Sequence, residues 1–183
     1  MSMIIGLSGK EKSGKDFAAG IIQTLNPGYE NKKFAGVLKE VAARMLNCPL
    51  EYFESQRIKN AKITGMDMTY REFLVDFGTD VVRGRYGEDF WVKRLFQEFT
   101  VFSSWVISDV RFPNEARAIQ DEGGILIRLN RPDLKRKPLS QQPITETALD
   151  EWDFEFELNC YSGELEGMAK NLKDIMEDED LLL

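Results

Sequence analysis

The sequence predicts a three-layer α/β/α sandwich on a mostly parallel sheet, and three observations carry that reading. Short, near-continuous apolar runs of strand length alternate with stretches whose apolar residues recur at helical spacing. A glycine-rich loop, Gly9-Lys10-Glu11-Lys12-Ser13-Gly14-Lys15, joins the first such run to the first helical stretch. The chain has 183 residues, 43% of them hydrophobic, enough to bury one proper core. Sheets of this kind take ligands at the carboxyl ends of their strands, so polar residues that follow an apolar run are the first candidates for a site.

The run Ile4-Ile5-Gly6-Leu7 reads as a buried strand, and Phe17-Ala18-Ala19-Gly20-Ile21-Ile22 as the helix beyond the loop. Three core-facing stripes follow at 3.6-residue spacing: Val37, Leu38, Val41, Ala42 and Met45; Phe73, Leu74, Phe77, Val81 and Val82; Trp91, Val92, Leu95, Phe96 and Phe99. Trp105-Val106-Ile107 reads as a buried strand ending at Ser108-Asp109. A helix over 113–122, stopped by Gly123-Gly124, leads to the strand Ile125-Leu126-Ile127-Arg128-Leu129. After the Pro- and charge-rich stretch 131–143 come the alternating run Phe154 to Leu158 and a last helix carrying Leu165, Met168, Ala169, Leu172 and Ile175. No repeat or linker divides the chain, which predicts a single domain over 1–183 with a lid segment at 131–143.

Composition excludes several functions. A net charge of −7 argues against duplex nucleic acid as a partner, and the acidic run Glu177 to Asp180 reads as a solvated tail. The absence of histidine removes the commonest general base, the Ser–His pair and the commonest zinc ligand together. Two cysteines, Cys48 and Cys160, form no framework and read as packing residues of a reducing compartment. No stretch has the apolar length of a membrane span, and Met1-Ser2-Met3 leads into the first strand without a basic n-region, so a cytoplasmic protein without a membrane partner is expected.

The loop carries the chemistry. Glycines at Gly9 and Gly14 let successive backbone N–H groups turn onto a phosphate, the helix start adds its positive pole, and Lys15 reaches the outer phosphates. A nucleoside triphosphate, ATP before others, is the expected ligand. Asp16 stands where such loops usually carry Ser or Thr for Mg²⁺. Its carboxylate suits either a hard cation, directly or through water, or the capping of the helix, and both readings stay open.

Ser108-Asp109-Val110-Arg111 follows a core strand, where Asp109 can face Mg²⁺ or the acceptor and Arg111 a phosphate; a salt-bridged strand end is the plainer reading. Arg131, Lys135, Arg136 and Lys137 form either the cationic part of a lid or a solvated basic loop. Trp91, with Phe90 and Tyr86, can stack a base or fill core, and Lys39 projects away from its helix's apolar face.

Together these segments resemble the bacteriophage deoxynucleoside monophosphate kinases. The likeness runs in order through Leu7-Ser8-Gly9, Ser13-Gly14-Lys15-Asp16, Phe34-Ala35-Gly36 with Lys39, and Arg71 with Phe77-Gly78-Thr79-Asp80. It continues through Phe90-Trp91-Val92-Lys93, Ser108-Asp109-Val110-Arg111-Phe112-Pro113-Asn114-Glu115 and Ile144-Thr145-Glu146. The resemblance implies a P-loop kinase of nucleoside monophosphate kinase build, transferring the γ-phosphoryl of ATP, with Mg²⁺, to a deoxynucleoside 5′-monophosphate for phage DNA synthesis in the host cytoplasm. By it, Gly9, Lys12, Ser13, Gly14, Lys15 and Asp16 hold ATP, Asp16 the metal. Lys39, Arg71, Gly78, Thr79, Trp91, Asp109, Arg111 and Glu115 surround the acceptor, and Lys15, Asp109 and Arg111 serve catalysis. Two positions depart from the family pattern: Glu11, where the family is basic, and Phe17, where some members carry Thr.

The physical reading agrees. A phosphate monoester has a second pKa of about 6, so the attacking oxygen needs no histidine at neutral pH. What the transfer needs is neutralised charge, which Lys15, Arg111 and lid cations can supply. Two other readings stay open: a small-molecule kinase, because residues 8–17 also resemble the animal-type phosphomevalonate kinases, and a nucleotide-binding switch or ATPase acting on a protein. Base preference and homodimerisation are not legible.

Overall fold

The structure is a computed structural model that describes residues 3–136, 138–161 and 163–182. Met1, Ser2 and Lys137 lie outside the described residues, as does the side chain of Leu165. The chain forms two compact units, Met1–Lys33 with Phe99–Leu183, and Phe34–Glu98.

The first unit holds a sheet whose strands are β1 (Met3–Ser8), β2 (Glu30–Lys32), β3 (Ser104–Val110), β4 (Ile125–Asn130) and β5 (Phe156–Asn159). They lie in the order β2-β3-β1-β4-β5, and every pairing is parallel. β1 is therefore central, with the chain crossing to one side of it and then to the other, the topology that opens a crevice at the strands' carboxyl ends. The predicted strands are all present. β3 runs on to Val110, beyond the expected end at Ser108-Asp109, because Val110 still registers with Ser8 after an irregularity in the β1 pairing. The alternating run at 154–158 becomes a strand only from Phe156, where pairing with Ile127 begins.

Apolar residues of alternating parity decide the layers. Ile5, Leu7, Ile127 and Leu129 pack with Ala18, Ala19 and Ile22 of α1 (Lys15–Leu25) and with Met168, Leu172 and Met176 near the C-terminus. Gly6 faces the other way, where a Cβ would stand 2.6 Å from Leu126 and 2.7 Å from Ile119.

In the second unit lie α2 (Phe34–Met45), α3 (Glu51–Glu54), α4 (Tyr70–Val75), a π-helical stretch Asp76–Arg83, α5 (Gly84–Tyr86) and α6 (Phe90–Phe96). α4 starts at a capping box: the Thr69 hydroxyl accepts the Glu72 N–H at 3.2 Å, and the Glu72 carboxylate accepts the Thr69 N–H at 2.7 Å. Trp91, Val92 and Leu95 are buried as the third stripe requires.

The other two stripes need correction. Val41 and Met45 are exposed, whereas Ala42 is buried as expected, and α2 also buries Phe34 and Ala43, the two alanines clustering with Phe53, Ile63 and Tyr70. Val81 is exposed while Val82 is buried, because a π-helix bonds i to i+5 and carries a 3.6-residue stripe out of register.

The remaining elements belong to the first unit: α7 (Pro113–Asp121), a 3₁₀ turn at Leu139–Gln141, α8 (Ile144–Thr147) and α9 (Leu165–Asp178). No helix among the described residues is long and apolar enough to cross a membrane. Ile127→Ala, at a fully buried position, is expected to cost about 2–5 kcal/mol. Met45→Ala, at an exposed one, should stay within about 0.5 kcal/mol, both read from urea unfolding.

Candidate active site

The loop after β1 keeps its shape through backbone conformations that few residues adopt. Gly9 has φ +145°, and a Cβ there would collide with the Leu129 carbonyl and stand 2.6 Å from Ser13 Oγ. Gly14 (φ +100°) caps α1 without a side chain to spend its first N–H groups, and Lys12 is held at φ +63°. Ser13 is fully buried, and its N–H closes the turn onto Lys10 O at 3.1 Å. This is an anion cradle at the start of an eleven-residue helix.

Lys15 folds back across the loop. Its Nζ donates to Gly9 O at 2.6 Å, Lys10 O at 2.9 Å and Ser13 Oγ at 3.4 Å. Burial, reinforced by the Arg111 guanidinium, lowers its pKa to about 8, against the raising pull of Glu146, Asp16 and Asp109. Asp16 Oδ1 accepts from Lys33 Nζ at 2.7 Å and Ser108 Oγ at 3.3 Å. Lost hydration works against its charge, but the Lys33 ammonium outweighs that and holds the carboxyl below its ordinary value. Neither Lys33 nor Ser108 carries a sequence signal for this contact beyond lying near a strand end.

For Mg²⁺, the Asp16 carboxylate and Ser108 hydroxyl offer hard oxygens side by side, while the described residues hold no cluster of three or more acidic or thiol ligands. That donor set fits a cation completed by water and phosphate oxygens rather than caged by protein.

Asp109 is half-buried on β3 and Arg111 follows the strand. Arg111 Nη1 donates to Glu146 Oε1 at 2.7 Å and to Thr145 O at 3.3 Å. Glu115, 2% exposed, accepts the Arg111 N–H at 2.8 Å and the Phe112 N–H at 3.1 Å through the same oxygen, Oε2. Of the basic segment, Arg136 donates to Glu11 O, Arg131 pairs with Asp133 at 3.4 Å, and Lys135 is exposed. Lys10 pairs with Asp150 at 3.0 Å, and Asp150 with the buried Arg128 at 2.7 Å. An arginine inside the apolar strand run 125–129 was the one sign of that link in the sequence.

The structure thus gathers Gly9 to Asp16, Asp109, Arg111 and Glu115 in the first unit. Lys39, Arg71, Gly78, Thr79 and Trp91 lie in the second. There Lys39 is half-buried on α2, and Arg71 and Thr79 are exposed. Trp91 is buried with its indole N–H donated to Gly78 O at 3.0 Å, and a Cβ on Gly78 would stand 2.5 Å from Leu38. Phe90 stands edge-on to Trp91 at 5.0 Å and 5.7 Å from Tyr86.

No family model matches the sequence. A protein of Acanthamoeba polyphaga mimivirus named "Putative deoxynucleotide monophosphate kinase" is 32% identical over 149 residues, covering 72% of this chain and 76% of the relative. The chain belongs to that kinase family. The likeness is to a mimivirus protein and supports the family without a bacteriophage origin. Shikimate kinase from Bacteroides thetaiotaomicron superposes with a TM-score of 0.51 over 96% of this chain and 98% of its own, at 14% identity, a likeness of fold alone. The chain is a P-loop kinase, a phosphotransferase with an all-parallel α/β sheet.

A lysine with a pKa near 8 is increasingly neutral above that pH, so it attracts phosphate less. ADP, whose terminal phosphate (second pKa about 6) is ionised by then, should bind progressively more weakly from about pH 8 upward, by up to about tenfold per pH unit. In Lys15→Arg, charged throughout, titration calorimetry should give a flat profile.

Proposed function

We propose that this kinase transfers the γ-phosphoryl group of ATP to a deoxynucleoside 5′-monophosphate, yielding the deoxynucleoside diphosphate and ADP. The observation that carries the reading is the relative's name joined to the site: a phosphate loop with the half-buried Lys15 folded into it and an arginine, Arg111, anchored beside it. Gly9, Lys12, Ser13, Gly14 and Lys15 hold the donor phosphates through backbone N–H groups and the ammonium.

Asp16, with Ser108 beside it, would hold Mg²⁺, which supplies charge neutralisation between the phosphates when bound. The acceptor's phosphate oxygen is already ionised at neutral pH, so no residue takes its proton, in keeping with a chain free of histidine. Arg111 meets the phosphoryl group in flight, and Asp109 favours the charged form of Lys15.

Lys39, Arg71, Gly78, Thr79 and Trp91 complete the acceptor's surroundings in this reading. Glu115 contributes by shaping the loop that carries Arg111, its carboxylate being engaged with backbone N–H groups. Arg131, Lys135 and Arg136 form the closing segment, and Arg136 already reaches the donor loop at Glu11 O. ATP and the acceptor are the partners, and duplex nucleic acid is not one.

ADP formation should appear with deoxynucleoside monophosphates, Mg²⁺ and ATP, in parallel with ribonucleotides, phosphomevalonate and no acceptor. Turnover with phosphomevalonate alone, or hydrolysis that ignores the acceptor, would sink the proposal. Lys15→Ala and Arg111→Ala should each lose about 10²-fold or more in kcat while unfolding at the wild-type temperature; near wild-type rates would remove that residue from the mechanism.

A further inference from the structure

We infer that Glu146 is a positioning residue that fixes Arg111 against the phosphate loop. The inference rests on reading residues 9–16 as the phosphate site and Arg111 as a phosphate contact. Glu146 uses its two oxygens separately: Oε1 accepts from Arg111 Nη1 at 2.7 Å, and Oε2 accepts the backbone N–H of Glu11, inside the loop. One carboxylate therefore joins the arginine to the loop. Its side chain is 13% exposed, so water competes little for either bond.

Thr145 O takes the same Nη1 at 3.3 Å. The bonds recorded among the described residues engage Arg111 through Nη1 alone, which leaves the Nε and Nη2 edge of the guanidinium to a phosphate. An arginine fixed by one nitrogen and offered by the others has spent its rotamer freedom before the ligand arrives.

The support under Glu146 is firm as well. Residues on both sides of α8 hold the loop: Gln142 accepts from Lys10 Nζ at 2.9 Å and Asp150 at 3.0 Å. Glu146 also favours the ammonium of Lys15, which Arg111 opposes.

The test is a double-variant cycle read by calorimetry of inorganic tripolyphosphate binding, beside kcat and KM. Arg111→Ala and Glu146→Ala should each weaken tripolyphosphate binding about tenfold, the scale of a lost charged hydrogen bond. The double variant should be no more than about twofold weaker than either. Glu146→Gln, which keeps one acceptor oxygen, should fall between wild type and Glu146→Ala, and it carries the cycle if the alanine variant does not fold. In turnover the loss should lie in kcat more than in KM.

Losses that multiply to about a hundredfold would overturn the proposal by making the two residues independent. Tighter binding by Glu146→Ala would overturn it too, by making Glu146 an internal anion that competes with phosphate. Because tripolyphosphate needs no acceptor, coupling without turnover on any deoxynucleotide would remove the proposed reaction and leave the positioning role. A wild type that does not bind tripolyphosphate would end both.

Discussion

The contact on which the site depends is that between Gly9 and the carbonyl of Leu129. The end of β4 lies so close to the loop that position 9 has no space for a Cβ, and the backbone there adopts φ +145°. That approach turns the chain out of β1 and back over Ser13, which is fully buried beneath it. Lys15 can then reach the Gly9 and Lys10 carbonyls, and α1 can begin at Gly14 with its first N–H groups unspent. A side chain at position 9 would have to move β4 or open the loop.

Around this fixed turn, carboxylates and arginines pair in ways that leave little to chance. Glu115 holds the backbone after β3, Glu146 holds the head of Arg111, and Asp16 is held by Lys33. The three acids do different work although each sits within reach of the same cationic crevice. One shapes a loop, one holds an arginine and one takes a lysine and a serine hydroxyl. A site without histidine still obtains graded electrostatics this way, through burial and neighbours, which bring the Lys15 pKa down to about 8.

Much of this was legible in the order of residues. The near-continuous apolar runs Ile4 to Leu7 and Ile125 to Leu129 identify buried parallel strands, and the spacing of Gly9, Gly14 and Lys15 points to the cradle, since both depend on local geometry. The α2 stripe was right at Ala42 and misled at Val41 and Met45, which are exposed while Phe34 and Ala43 are buried. The stretch 76–83 misled because its π geometry lies outside the period assumed. Glu146 was visible as part of a segment but without a task, since its partners Glu11 and Arg111 stand 135 and 35 positions away. Only tertiary structure brings such residues together.

The link from Arg128 through Asp150 to Lys10 has a bearing on ionic strength. Arg128 is one-tenth exposed, and Asp150 and Lys10 about one-quarter, so dissolved ions reach these charges poorly and screen them weakly. An incoming polyphosphate is attracted through open solvent and is screened fully. Salt therefore separates two properties that both depend on charge: the loop keeps its form in concentrated salt while the long-range attraction that fills it fades.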